Sequence, residues 1–539
     1  MHSAGYGSVP PLGGPHRRDD RRHDATPPPS PRGDGELARH LSLFDLVCVG
    51  VGATVGSGVF VLVGLIAHSI AGPAVSLSWL IAGVAASVSG LCYAELGGRF
   101  PSVGSTYVYT RETMGECASV VAGACLTLEY TGSASAVARS WGDKAVEYAR
   151  TWDDGDGRGD SWFQFALDPG FGINPCAFLV SFASVFLLLS GVKESKNVTN
   201  FFSALNVSLV CFMATASLIL ARRDNMKPFI PPEFGAGGIV RGATSSFFGY
   251  IGFDEICCIS GEAIHPTRDV PRAILITLLI VTCLYCGASV GLVGMVPYHE
   301  ISETSGFPDG FRTRGIAWAA EITRLGELAV LPLVVLVTIM AQPRLNFIMA
   351  IDGILPAVFA EIEDDGNLKA GTQISGALMI AVATLVPFAY LDDLISSGIL
   401  VAFTMTDCAV VLVRHASPRD RPRLLERNLA AFLVLSLLTG FLLRLCLAAE
   451  GTGDGMRAAA LLSCGGTLFA GNRIRTCCPR QDDGVDAGLF LTPCMPCIPL
   501  SGCFINLYLI AQLEVTGLAT IFGYLALSIV FYFYNLHIK

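Results

Sequence analysis

The chain has 539 residues, of which 52% are hydrophobic and 15% charged, and a formal net charge of -9. Soluble globular chains carry roughly 25% charged residues, and nucleic-acid binders present a basic footprint. Composition therefore excludes a soluble enzyme, a nucleic-acid-binding protein and a disordered scaffold.

Residues 1–40 are a Pro/Gly/Arg/Asp-rich tail with no apolar run, expected to be a disordered cytoplasmic segment. From Leu43 on, apolar stretches follow one another near 43–68, 74–98, 116–140, 174–192, 199–221, 241–261, 272–296, 327–350, 374–391, 395–413, 428–448, 456–471, 489–512 and 515–536. A bilayer-spanning helix needs about 20 apolar residues. The expectation is an all-α membrane protein of about 14 transmembrane helices.

Lys and Arg collect on the cytoplasmic side of membrane proteins. With the tail inside, the even gaps hold Arg99 and Arg111, Lys193 and Lys196, Arg268 and Arg272, then the Arg-rich stretch 414–427. The acidic loop near 153–160 falls outside. Arg222, Arg223 and Lys227 run against the rule and are outweighed, so both termini are expected in the cytoplasm. Most of the 18 Cys residues, Cys48, Cys125 and Cys257 among them, lie in apolar runs and read as small hydrophobes. No cofactor or metal centre is expected, since no Cys/His set has zinc spacing. No HExxH, GxSxG or P-loop pattern stands in a plausible context, so no enzyme is expected.

The first span reads VCVGVGATVGSGVFVLVG, with Gly50, Gly52, Gly56 and Gly58 in nine residues. Each Gly costs a helix roughly 1 kcal/mol relative to Ala, so a break is expected. A break at membrane depth creates a half-helix N-terminus whose N–H groups suit a carboxylate. Ser57 adds a hydroxyl there. The sixth span, SSFFGYIGFDEICCISGEA, is interrupted by Gly249 and Gly252, and Asp254 and Glu255 follow at once. Free carbonyls at that break would suit an ammonium group, and the two breaks together match an amino acid zwitterion. Spans one and six are also five apart, as in two five-helix repeats. Such paired interruptions point to a transporter site. Close packing of helices at small residues is the competing reading of either Gly cluster alone.

With VGSGVF at 55–60, GLCYAELGGRFPSVGSTYVY at 90–109, GVKES at 191–195, GFDEICCISGEAIHPTRDVP at 252–271 and QPRLNFIMAIDGIL at 342–355, the chain resembles the cationic amino acid transporters of the amino acid–polyamine–organocation (APC) superfamily. The resemblance covers most of 41–415. It implies a broken-helix 5+5 inverted repeat (the LeuT-like, APC fold) at 41–415, with about four extra transmembrane helices at 416–539. It places the substrate carboxylate at Val55, Gly56, Ser57 and Gly58, and the amine at Phe248, Gly249 and Ile251, with Phe248 as an aromatic gate and Asp254 in the family's Gly-Phe-Asp motif. Asn206 falls where the family has Asn or Lys, a position linked to coupling.

Charged groups inside spans are costly and therefore functional candidates. Glu95 is a gate or ion-pair candidate with Arg99 one turn on. Glu129 sits mid-span without an obvious partner. Asp254 is a better pathway candidate than Glu255, and Glu262 is expected to pair with Arg268. Leu65 replaces the family's usual Glu. Bulky Val335 and Val337 replace small residues, leaving Thr338 as the polar contact of span eight.

The implied function is a secondary transporter of arginine, lysine and ornithine working by alternating access in the plasma or vacuolar membrane. Its partners are the amino acid and the lipid bilayer, with proton coupling open through Asp254 or Glu95. Alternatives are a carrier of neutral amino acids or polyamines, and an amino acid sensor of the same fold.

Overall fold

A computed structural model describes residues 39–56, 58–153, 172–190, 196–363, 368–448, 454–481 and 488–538. The first helix, α1 (Leu43–Thr54), opens on a reciprocal cap. Ser42 N–H donates to the Asp45 carboxylate at 3.0 Å, and Asp45 N–H to Ser42 Oγ at 3.4 Å. It stops at Val55, whose backbone is extended. Beyond the break, Gly58–Leu62 is π-helical, α2 spans Val63–Ile66, and a second π-helical turn ends before Gly72, at φ +61°.

There follow α3 (Val75–Arg99), α4 (Thr106–Met114), α5 (Glu116–Asp153), α6 (Pro175–Leu189) and α7 (Lys196–Ile219). The second broken segment is α8 (Gly235–Phe247), a 3-10 turn Phe248–Tyr250, and the four-residue α9 (Glu255–Cys258). Next come α10 (Pro266–Met295), α11 (Gly306–Thr313), α12 (Ala317–Ile339), α13 (Ala341–Ile351), α14 (Lys369–Leu385) and α15 (Phe388–Arg414). The last four are α16 (Leu424–Ala448), α17 (Asp454–Cys477), α18 (Cys497–Gln512) and α19 (Val515–Ile538). Seven helical stretches among the described residues are long and apolar enough to cross a membrane.

Two helices outrun their expected ends, because charges read as loop residues are paired inside the fold. With 38 residues, α5 continues past residue 140 to Asp153, roughly 57 Å at 1.5 Å per residue. On it, Lys144 is buried and donates to Glu327 at 2.7 Å. Likewise α12 starts ten residues before the expected 327, with Arg324 against Asp309 at 3.5 Å and Glu321 at 3.8 Å.

Packing puts both breaks at the centre. Helix α10 lies against α3, α7 and α1, and α8 against α3, while α5 is bordered by α4, α6, α12, α14 and α15. Between them sits an aromatic core. Tyr93 meets Phe253 and Phe403 at centroid distances of 5.6 and 5.1 Å, and Trp79 meets Tyr285 at 4.6 Å. Such edge-on pairs contribute about 0.5–1.5 kcal/mol each beyond area burial. The outer surface is apolar as well: Phe178, Phe182 and Phe186 stack along α6 and stay exposed. In water such a stripe would drive association; against acyl chains it costs nothing.

The C-terminal helices dock on this core. Helix α18 packs on α15, α16 and α3, and α19 on α5 and α15. At the end of α15, His415 forms an isolated antiparallel bridge with Arg480, and Gln481 N–H donates to the Arg414 carbonyl at 2.8 Å. A second bridge, Leu41 with Ala263, fastens the start of the described chain to the segment after α9.

Candidate functional site

The two breaks touch each other. A Cβ on Gly58 would lie 2.7 Å from the Gly249 Cα, and one on Gly252 (φ +112°) 2.8 Å from the Ala53 carbonyl carbon. Only glycine permits that approach. Gly50 and Gly52 differ from expectation: they lie within the unbroken α1, where Ile256 and Ser203 fill the space a Cβ would need. The packing reading holds for these two, and the break follows them.

Side chains hold the first break open. Tyr285 OH donates to the Thr54 carbonyl at 2.8 Å, and Asn206 Nδ2 to the Val55 carbonyl at 2.5 Å. Asn206 is thus a brace on the break. Asn206→Leu is expected to cost about 1–3 kcal/mol, since the buried Val55 carbonyl loses its donor. Thermal melting of the purified variant checks this; unchanged stability would mean the carbonyl finds another partner. Val55, Gly56 and Gly58 are all buried beside the second break. Ser57 lies outside the described residues.

At the second break, Ile251 N–H donates to the Phe248 carbonyl at 3.2 Å, and Glu255 N–H to the Gly252 carbonyl at 3.2 Å. Phe248 is buried, and its ring packs edge-on against Phe388 with centroids 5.9 Å apart. Asp254 Oδ2 accepts from Tyr130 OH at 3.0 Å, and that hydroxyl also lies 3.0 Å from Cys258 Sγ. Glu129, one residue before Tyr130 on α5, is within electrostatic reach of both Asp254 and Glu255. All three carboxyls are buried. No N–H or O–H among the described residues donates to either Glu129 oxygen, to Asp254 Oδ1 or to Glu255 Oε1, and the Glu129 and Asp254 carboxyls lie side by side. Among the described residues no cationic side chain comes within ion-pair distance of the three. Nor is any group of three or more His, Cys, Asp or Glu residues arranged to hold a metal ion. Burying a carboxylate without a partner costs several kcal/mol, so this cluster calls for a positive charge from outside or for bound protons.

Thr338 is buried on α12 with its hydroxyl unpartnered. Val334 closes on Gly56, which a Cβ would bring within 3.1 Å of it. Val335 is fully buried, whereas Val337 lines a cavity of about 50 Å³ that also touches Glu255, Glu262 and Arg344. On the other side, a cavity of about 330 Å³ is lined by Val61, Arg139, Asp143, Lys144, Glu147 and Phe388. Phe388 thus joins this cavity to Phe248 of the second break.

Two expected ion pairs are replaced. Glu95 pairs with Arg414 at 2.9 Å, both wholly buried, rather than with Arg99 at the helix end. Its other oxygen accepts Thr492 N–H at 2.7 Å. Glu262 pairs with Arg344 at 2.9 Å rather than with Arg268, which lies exposed beside Asp269. Tyr130, Tyr285 and Lys144 were not singled out in the sequence. Lys144 carries the one usable signal, a charge next to an apolar span.

A family model described as "Amino acid permease" matches residues 41–452. The chain belongs to the amino acid permease family. This permease is 37% identical over 397 residues to the vacuolar cationic amino acid transporter 4 of Arabidopsis thaliana, covering 72% of its own length and 66% of the relative's. It is 30% identical over 555 residues to the mitochondrial cationic amino acid transporter 3 of the same plant, covering 93% and 90%. It is also 31% identical over 402 residues to the branched-chain amino acid permease BcaP of Bacillus subtilis (strain 168), covering 72% and 84%. The resemblance read from the motifs is thereby borne out, and the permease is a multi-pass membrane protein.

Proposed function

We propose that this permease carries arginine, lysine and ornithine across a membrane by alternating access. The observation that carries the reading is the buried Glu129–Asp254–Glu255 cluster, without a basic partner among the described residues, beside two touching backbone breaks. The substrate carboxylate meets the break at Val55–Gly58, with Ser57 among its donors, and the α-amine meets Phe248, Gly249 and Ile251. The cationic side chain then turns to Asp254 and Glu129. Residues 41–415 act as a ten-helix 5+5 repeat and 416–539 as four added spans, with 1–40 and the C-terminus in the cytoplasm. The membrane is the plasma or vacuolar membrane, the vacuole being the one that a relative's name gives. Phe248 with Phe388 forms one gate, and Glu262 with Arg344 the opposite one.

Uptake of labelled arginine into proteoliposomes tests this. At equal pH, an imposed inside-negative potential is worth about 2.3 kcal/mol per charge per 100 mV, so accumulation should rise roughly fifty-fold. No arginine uptake, with leucine carried instead, overturns the cationic reading. That second outcome has its own support in the bulky Val335 and Val337 and in the branched-chain relative. A strict pH gradient requirement would move proton binding to the acidic cluster.

A further inference from the structure

Tyr285 and Asn206 brace the near side of the first break, at the Thr54 and Val55 carbonyls. The far side is held differently. Gly58–Leu62 is π-helical, a backbone form that occurs mostly in single turns at functional sites. Gly58 is the residue that meets Gly249, and Phe60 follows two residues later. The Phe60 carbonyl accepts from Lys144 Nζ at 3.2 Å. That ammonium also donates to the Thr304 carbonyl at 2.9 Å and to Glu327 Oε2 at 2.7 Å. An ammonium has three N–H donors. Here they reach three separate pieces of chain: the far half of the broken segment, the loop before α11, and α12.

The loop is itself pressed on the broken segment. A Cβ on Gly64 would lie 2.7 Å from the Ser302 carbonyl oxygen. Next to Thr304, Ser305 Oγ donates to Glu147 at 2.6 Å, three residues beyond Lys144 on α5. Val61, Lys144, Glu147 and Thr304 line the cavity of about 330 Å³ together with Phe388, whose ring packs on Phe248. The Lys144 side chain is 6% exposed and that of Glu327 2%. In such surroundings hydrogen bonds are stronger than in water. A charge pair kept for stability needs only Glu327. The bond to Phe60 adds a fixed point two residues from the contact between the breaks, and so sets where the Gly58 end of the half-helix lies.

We propose that Lys144 is a positioning residue for transport. Through the Phe60 carbonyl, its ammonium holds the far half of the broken segment where the Val55–Gly58 donors meet the substrate carboxylate. This rests on the proposed reading of that break as the carboxylate site. The carboxylate is common to all α-amino acids, so Lys144 serves arginine and leucine alike, unlike Glu129 and Asp254.

Two variants of the full chain separate positioning from stability. Glu327→Gln breaks the charge pair, yet Lys144 still donates to both carbonyls. Lys144→Met combined with Glu327→Gln removes the pair as a whole and frees the Phe60 carbonyl. Melting temperature is read on the purified proteins, and KM and kcat in proteoliposomes with labelled arginine and labelled leucine. Glu327→Gln should melt below the parent, because it strands a buried cation, while KM stays within about twofold of the parent. The double variant should melt no lower than Glu327→Gln, yet its KM should rise about tenfold, the worth of a hydrogen bond to a charged group. Its kcat should change far less. KM is compared for whichever of the two amino acids the parent carries, so a wrong cationic reading shows in the parent and a wrong role for Lys144 in the variants. Equal KM in the two variants, whether at the parent value or raised in both, overturns the proposal and leaves Lys144 a stability role alone.

Discussion

Glu129→Gln and Asp254→Asn are each expected to lower arginine uptake about 10- to 100-fold. A hydrogen bond to a charged group is worth about 1.5–3 kcal/mol, and each 1.4 kcal/mol is about tenfold in affinity. The loss should appear mainly in KM, because the cationic side chain is held in the ground state as well as during translocation. Both amides are near-isosteric, and Asn at position 254 still accepts from Tyr130 OH, which now lies 3.0 Å from Asp254. The opposite role for these groups makes the opposite prediction. Among the described residues neither carboxyl has a cation beside it, so if they served stability alone, neutral amides would cost little or even stabilise. Uptake at the wild-type level in both variants, with folding intact, would remove the acidic cluster from substrate recognition. Leucine uptake by the same variants gives the control that separates lost charge recognition from lost transport.

Arg414→Met should be the most destabilising single change in the core. Arg414 and Glu95 are wholly buried, 319 residues apart in sequence, and joined at 2.9 Å. Removing the guanidinium strands a carboxylate, which costs about 3–5 kcal/mol. Thr492 N–H, at 2.7 Å from the same carboxylate, compensates only in part. The expected result is a low yield of monodisperse protein and a lowered melting temperature. Adding Glu95→Gln to Arg414→Met should restore most of the loss, because a buried pair replaced as a whole is far less costly than one broken. A single variant as stable as the parent would show that Glu95 is neutral in the folded chain.

What the sequence made legible and what it hid divide along range. The breaks at Val55 and Ile251 were readable, because local glycine and extended-backbone chemistry decides them. The family was readable from motifs that recur in order. Pairing was not. Sequence offers only neighbours one turn away, which led to Arg99 for Glu95 and Arg268 for Glu262. The fold chose Arg414 and Arg344, from other helices. Glu129 seemed solitary for the same reason: Asp254 reaches it only after α5 and the second broken segment pack. Helix ends misled where a charge was taken as a loop marker. Lys144 stays helical because Glu327 neutralises it. Glycine counts overstated the break, since Gly50 and Gly52 serve neighbours across the interface.

The Gly58–Gly249 contact bears on how this scaffold could be re-engineered. At that point the two segments meet backbone to backbone, with no room for even a methyl group. On the proposed function, what is recognised beside it is the portion common to every α-amino acid. That function then leaves preference among substrates to side chains projecting from neighbouring helices, Glu129, Val335 and Thr338 among them. A directed-evolution library aimed at a new substrate should therefore keep positions 58 and 249 constant and randomise 129, 335 and 338.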